Sequence, residues 1–377
     1  ADDAPAAEQA LRALMERRIY RYTWVLYGLA MLVGGVQQLL YFILLWAGRT
    51  ATPTELSIYD LRATAANGLA LVLVGAPAWA AAWLTVQRSL AEAEERAELL
   101  RLGILYFLSL AGVTTVLTAG GIIVDVLLRL LLGEQASLTR VLADIRGPLS
   151  IGLPIAGVWA YYGYWLGRTM KEVPDAPRRA GMRRLYSYIL SAVGLVASFI
   201  GLNMLLSYLV DILTRSTGWQ HTLRLQLAAA LATLAAGSPL WLLTWRPMQA
   251  EARAAGDAGD HARRSLTRKI YLYLALFAGV IGVMISAGVL VYNLLQALLG
   301  HPPERLVELT LDSLRNLILF ILLGVYHGLV LARDGRRAAG ALSEKHAAFP
   351  VLVFDPGDGT FAAAVHAAIQ KQAPSLP

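Results

Sequence analysis

The chain has 377 residues, of which 57% are hydrophobic and only 16% charged, with a net charge of +7 and no cysteine. Soluble globular chains carry about 25% charged residues, so the composition argues against an ordinary soluble domain. The absence of cysteine excludes disulfides and thiolate metal sites, and the placement of the positive charge explains it without nucleic acid.

Residues 1–16 read as a polar, helix-prone cytoplasmic segment, not as a signal peptide, because no apolar core precedes a cleavage site. Eight apolar blocks follow, at about 19–47, 64–87, 104–132, 148–167, 185–213, 225–245, 271–299 and 317–333. Each approaches or exceeds the ~20 residues needed to span hydrocarbon as a helix. Lipid leaves only helices or closed barrels for a spanning chain, and these blocks lack the alternation of barrel strands. The expected fold is an all-α membrane protein with eight transmembrane helices.

The blocks repeat. Tyr22, Tyr106, Tyr188 and Tyr273 open the odd-numbered helices, and Gly28, Gly112, Gly194 and Gly279 follow six positions later. The even-numbered helices carry residues four apart on one stripe: Gly75-Trp79-Trp83, Gly157-Tyr161-Trp165 and Gly237-Trp241-Trp245. The fourth copy reads Gly324-Gly328-Ala332. The period divides the chain into four parallel two-helix repeats, at 17–88, 89–170, 171–249 and 250–337. Each is expected as a long helix, an outer loop and a shorter helix. Gly75, Gly157, Gly237, Gly324 and Gly328 are the candidate helix-packing positions, because small residues let backbones meet in lipid.

Charge alternates between connections. Arg17, Arg18 and Arg21 precede the first helix; Arg178, Arg179, Arg183 and Arg184 the fifth; Arg263, Arg264, Arg268 and Lys269 the seventh; Arg333, Arg336 and Arg337 follow the eighth. The opposite connections hold two each: Arg49 and Arg62, Arg140 and Arg146, Arg215 and Arg224, Arg305 and Arg315. The excess of positive charge on one side places both termini in the cytoplasm of a bacterial inner-membrane protein. Tyr20, Tyr22, Tyr186, Tyr188, Tyr271, Tyr273, Trp83, Trp165 and Trp245 lie beside the arginines and read as membrane-interface anchors.

Between the spans, 54–62 and 304–315 read as short amphipathic helices on the outer surface. Segment 89–100 reads as a solvated continuation, and 171–183 and 250–263 as linkers, the second of them mobile. Ionisable groups inside spans are few. Asp125 and Arg129 are four apart and suited to an internal ion pair. His327 is the one histidine within a span and reads as a hydrogen-bonded packing residue, not a haem ligand, since a haem held between helices takes two. Asn203 and Asn293, with Gln37, Gln38 and Asn67, read as interhelical hydrogen-bond partners. No cofactor or metal site is expected. The sequence carries no carboxylate chain for a proton relay, no arginine ladder, no phosphate loop and no zinc helix.

The tail, 338–377, differs in kind. Phe349–Asp355 reads as a strand, 356–359 as a turn and Phe361–Gln370 as a helix, the opening of an α/β unit too small for its own core. It is expected either to pack on the helices or to continue beyond Pro377, and continuation is favoured.

The entry Arg18-Ile19-Tyr20-Arg21-Tyr22 resembles a bacterial integral membrane family of unknown function built from repeated two- or four-helix units. The likeness extends over 17–333 and weakens in the second repeat, where Ile104 replaces the first tyrosine. It implies a membrane-repeat architecture and no activity, substrate or catalytic residue. The sequence therefore favours a non-catalytic membrane module that anchors, scaffolds or senses for a cytoplasmic tail. The alternatives are a channel or carrier for a small or lipophilic solute between the four hairpins, and an accessory subunit of a larger membrane complex. The expected partners are the bilayer, a second copy or another membrane protein.

Overall fold

The computed structural model describes residues 3–48, 58–91, 99–172, 177–214, 221–347, 354, 357 and 359–372. Among them are ten helices and no strand: α1 (Asp3–Ala47), α2 (Ile58–Ser89), α3 (Leu99–Leu131), α4 (Leu138–Glu172), α5 (Pro177–Thr214), α6 (His221–Arg253), α7 (Gly256–Arg264), α8 (Leu266–Leu298), α9 (Leu306–Ala347) and α10 (Thr360–Gln372). Eight of them, all but α7 and α10, are long and apolar enough to cross a membrane. The all-helical, eight-span reading holds. Hydrocarbon offers no partner to a free N–H or C=O, so each span closes its own hydrogen bonds. Pro77, Pro148 and Pro154 sit inside α2 and α4 without ending them.

Two of the spans stop at a glycine. Gly133 (φ 88°) ends α3 and Gly300 (φ 84°) ends α8, both in the left-handed region that a side chain disfavours. The next residues, Glu134 and His301, donate their N–H groups to the carbonyls of Arg129 and Gln296, both at 3.0 Å. These are Schellman closures, which satisfy carbonyls the helix leaves open.

The chain forms two compact units. The first comprises 1–186, 193–208 and 216–239. In it α1 packs on α2, α3 on α4, and α1 on α4. Tyr22, Val25 and Leu29 of α1, Trp83 and Val86 of α2, Leu102, Leu105 and Tyr106 of α3, and Tyr162 and Leu166 of α4 form its core. The helix pairs approach closely. A Cβ on Gly28 would lie 2.6 Å from the Trp79 backbone nitrogen, and one on Gly75 2.7 Å from that of Leu32. Where α5 meets α6 in this unit, a Cβ on Gly237 would lie 2.6 Å from the Ser198 nitrogen. The second unit comprises 187–192, 209–215 and 240–377. There α8 packs on α9, with Gly279 against Gly324, and α7 touches both helices.

Several expectations change. The second helix is shorter in the first and third repeats, with 32 residues in α2 against 45 in α1 and 33 in α6 against 38 in α5, but not in the others: α4 has 35 residues against 33 in α3, and α9 has 42 against 33 in α8. Helix continues into polar sequence where no breaker intervenes. For the same reason 306–315 is the start of α9 and 58–62 the start of α2, not separate surface helices. Segment 250–263 is helical over most of its length, not an open linker. Arg263 donates to the Ala252 and Ala254 carbonyls at 2.8 and 3.0 Å and pairs with Asp260, closing the end of α6 onto α7. Gly157 packs nothing, since a Cβ there would have no neighbour within 4 Å. In the tail, α10 matches the expected helix, and Gly357 and Gly359 take positive φ as a turn requires. Phe354 is not in a strand; the rest of the expected strand, 349–353 and 355, lies outside the described residues, as does segment 92–98.

The glycine contacts make a direct expectation. Gly28→Ala forces α1 from α2 and costs about 1–3 kcal/mol, the usual range for overpacking. Gly120→Ala, with open space around it, leaves the unfolding midpoint in detergent unchanged. Thermal unfolding of the two variants beside the parent makes the comparison; equal midpoints would remove the close-packing argument.

Candidate functional site

The second unit buries a set of polar side chains drawn from four helices. Arg268, at the start of α8, has no solvent exposure. A guanidinium cannot shed its charge, so inside a protein it needs acceptors for its fixed fork of donors. Arg268 finds three. Its Nε donates to Asp334 Oδ2 of α9 at 2.6 Å, its Nη1 to the Tyr188 hydroxyl of α5 at 3.2 Å, and its Nη2 to Gln249 Oε1 of α6 at 3.0 Å. The guanidinium carbon stands 5.6 Å from the centre of the Trp245 ring, a cation–π arrangement. One side chain thus ties α5, α6, α8 and α9 together.

His327 of α9 lies on the same tryptophan and is 1% exposed. Its Nδ1 is 2.8 Å from the Leu323 carbonyl one turn back. A carbonyl only accepts, so Nδ1 carries the proton and Nε2 presents a lone pair. That Nε2 has no hydrogen-bond partner among the described residues. Around it stand Tyr326, Tyr271 and Trp245, with ring centres 5.0, 5.8 and 6.0 Å from the imidazole. The tyrosines are themselves held: Trp245 Nε1 donates to the Tyr326 hydroxyl at 2.7 Å, and Trp241 Nε1 and Ser191 Oγ each donate to the Tyr271 hydroxyl at 3.3 Å.

The first unit builds the same frame with different contents. Trp83 Nε1 donates to the Tyr161 hydroxyl at 2.7 Å, the counterpart of Trp245 and Tyr326. The next residue is Tyr162, in the place of His327, and its hydroxyl accepts from Trp79 at 2.9 Å. Seven residues further on, Thr169 stands where the second unit has Asp334, and it bonds only one turn back, to the Trp165 carbonyl. Arg101 matches Arg268 in sequence and is also buried. The carboxylate and the imidazole are therefore the features that separate the second frame from the first.

These positions account for most of the aromatic residues expected at the membrane interface. Tyr22, Tyr188, Tyr271, Trp83 and Trp245 are buried within the protein. Tyr186 is half-buried and shares a 2.9 Å hydrogen bond with Ser109, and Trp165 is half-buried. Tyr20 and Tyr273 are exposed. Indole N–H and phenol O–H groups pair with each other, so rings that would otherwise seek headgroups are satisfied inside. Of the polar residues, Asp125 and Arg129 pair at 2.5 Å, Asn67 donates to Gln38 at 2.8 Å across α1 and α2, and Asn203 is half-buried on α5. Asn293 is buried on α8 with its Nδ2 unpaired among the described residues. Gly75, Gly237 and Gly324 sit at helix contacts, and Gly328 lies 3.5 Å, from its would-be Cβ, to Leu276. Sequence reasoning missed Arg268, Asp334 and Gln249 as a set, having counted Arg268 with the loop charges. Setting His327 and Asp334 against Tyr162 and Thr169 would have exposed them.

Breaking one side of a buried ion pair strands the other charge and costs about 3–5 kcal/mol, whereas replacing both partners by apolar groups is often neutral. Arg268→Leu and Asp334→Asn should each lower the unfolding midpoint sharply, and Arg268→Leu with Asp334→Leu should recover much of the loss. A double variant as unstable as the sum of both singles would show that the two side chains do not act as a pair.

A family model described as a domain of unknown function, DUF5671, matches residues 18–158 and again 184–326. No curated protein and no solved structure matches the chain. The two matches together cover most of the chain, which therefore belongs to that family and carries its domain twice.

Proposed function

We propose that this DUF5671 member is a non-catalytic module of a bacterial inner membrane, with both termini cytoplasmic, in which the second domain copy passes the state of its helices to the C-terminal segment. The observation that carries the reading is the Arg268–Asp334 pair. The 42 residues of α9 reach roughly 63 Å at ~1.5 Å per residue, about twice the ~30 Å of hydrocarbon. Asp334 lies beyond the apolar stretch of α9, and through Arg268 it fixes that extension to α5, α6 and α8. Arg264 adds a second tie, from α7 to the Ala338 carbonyl at 3.2 Å. Any shift among the four helices is then felt by the chain that leads to α10. Asp125 and Arg129, ionised groups within a span, are paired with each other, which fits a structural duty better than a transport path.

The carrier alternative rests on the Gln38–Asn67 amide pair between α1 and α2. Vesicles reconstituted with the protein discriminate the two. The module reading expects no release of entrapped small solutes above protein-free vesicles, and solute release would overturn it. In the same vesicles, Asp334→Asn should speed amide hydrogen exchange over 335–347 by about tenfold or more, as local opening of α9 becomes easier. Unchanged exchange there would mean that the pair does not hold the extension.

A further inference from the structure

A second site lies in the first unit, at the end of the spans where the connections are poor in charge. A cavity of about 350 Å³ opens among Gly133, Glu134 and Gln135 of the α3–α4 turn, Arg140 of α4, and His221 and Arg224 of α6. That volume falls within the range of small-ligand sites. The turn is rigid, because the Schellman closure fixes Gly133 and Glu134, and Arg224 Nη1 donates to the Gly133 carbonyl at 3.2 Å. The Arg140 guanidinium and the Glu134 carboxylate, by contrast, make no hydrogen bond or ion pair with another described residue. Arg140 and Glu134 therefore share the cavity with Arg224 and His221 without pairing with each other. Leu131 and Leu138, on either side of the turn, are 81% and 74% exposed. They offer apolar surface for an acyl chain beside a polar cavity.

We propose that this cavity binds a zwitterionic aminoalkyl phosphate, with its phosphate on Arg140 and Arg224 and its ammonium on Glu134. Arginine forks match phosphate oxygens, and a carboxylate accepts from a primary ammonium but not from a quaternary one. The same chemistry is found in a lipid headgroup and in a free phosphate ester. The site is independent of the Arg268 cluster and of the function proposed for it.

The full-length protein, in nanodiscs of mixed phosphatidylethanolamine, phosphatidylcholine and phosphatidylglycerol, is extracted and its retained lipids are weighed by native mass spectrometry. Phosphatidylethanolamine should be retained preferentially. Glu134→Gln and Arg140→Gln, which break no bond to a described residue, should each reduce its retention about tenfold at unchanged unfolding midpoint, as expected for loss of one charge-assisted hydrogen bond. Titration with free phosphoethanolamine gives the other arm. Saturable binding of the free ester without lipid retention supports the same site with a soluble ligand. Equal retention of phosphatidylcholine and phosphatidylethanolamine, or retention unaffected by both variants with no binding of the free ester, overturns the proposal.

Discussion

Two helices in hydrocarbon gain nothing by excluding lipid, because a lipid tail is as apolar as the leucine it would touch. Their association rests on backbone approach and on hydrogen bonds formed where no water competes. Both devices recur along this chain. Gly28 and Gly75 bring α1 and α2 together, Gly237 does so for α6 and α5, and Gly279 faces Gly324 across α8 and α9. Once the backbones are this close, the aromatic residues two turns further on face inward. Their N–H and O–H groups then pair across helices, as in Trp83 with Tyr161 and Trp245 with Tyr326.

The recurrence of this frame in the two units makes a natural comparison. One copy fills it with Tyr162 and Thr169, whose needs are met by a neighbouring indole and by their own helix. The other fills it with His327 and Asp334, and a buried guanidinium is held by three acceptors from three helices. An ion pair of that kind stabilises little relative to an apolar core, since both charges leave water. It does impose one arrangement of its helices, because any other would strand a charge. The first copy thus reads as scaffold, and the second as a place where helix position matters.

Much of this was legible in the sequence, and the reasons are physical. Span number follows from block length, and the pairing glycines follow from spacing four on a helix. Gly75, Gly237, Gly324 and the Asp125–Arg129 pair needed no tertiary information. The aromatic residues were harder. Tyr22, Trp83 and Trp245 stand beside arginines, where interface and interior look alike in one dimension; only the hydroxyl facing each indole distinguishes them. Arg268 was hidden for the same reason, as one cation in a row of four. Helix ends were misplaced at 306 and 250 because hydropathy marks where lipid ends, not where helix does. Gly157 shows the converse, a glycine at the expected spacing with nothing packed on it.

The unbroken run of α9 from Leu306 to Ala347 makes it a lever arm. A rigid rod roughly 63 Å long, tilted by about 10° around one end, carries the other end through roughly 11 Å. The fulcrum is set by where the rod is gripped, and it is gripped at Asp334, nearer residue 347 than residue 306. Motion on the side of residue 306 is consequently favoured over motion on the side of residue 347 for as long as Arg268 holds.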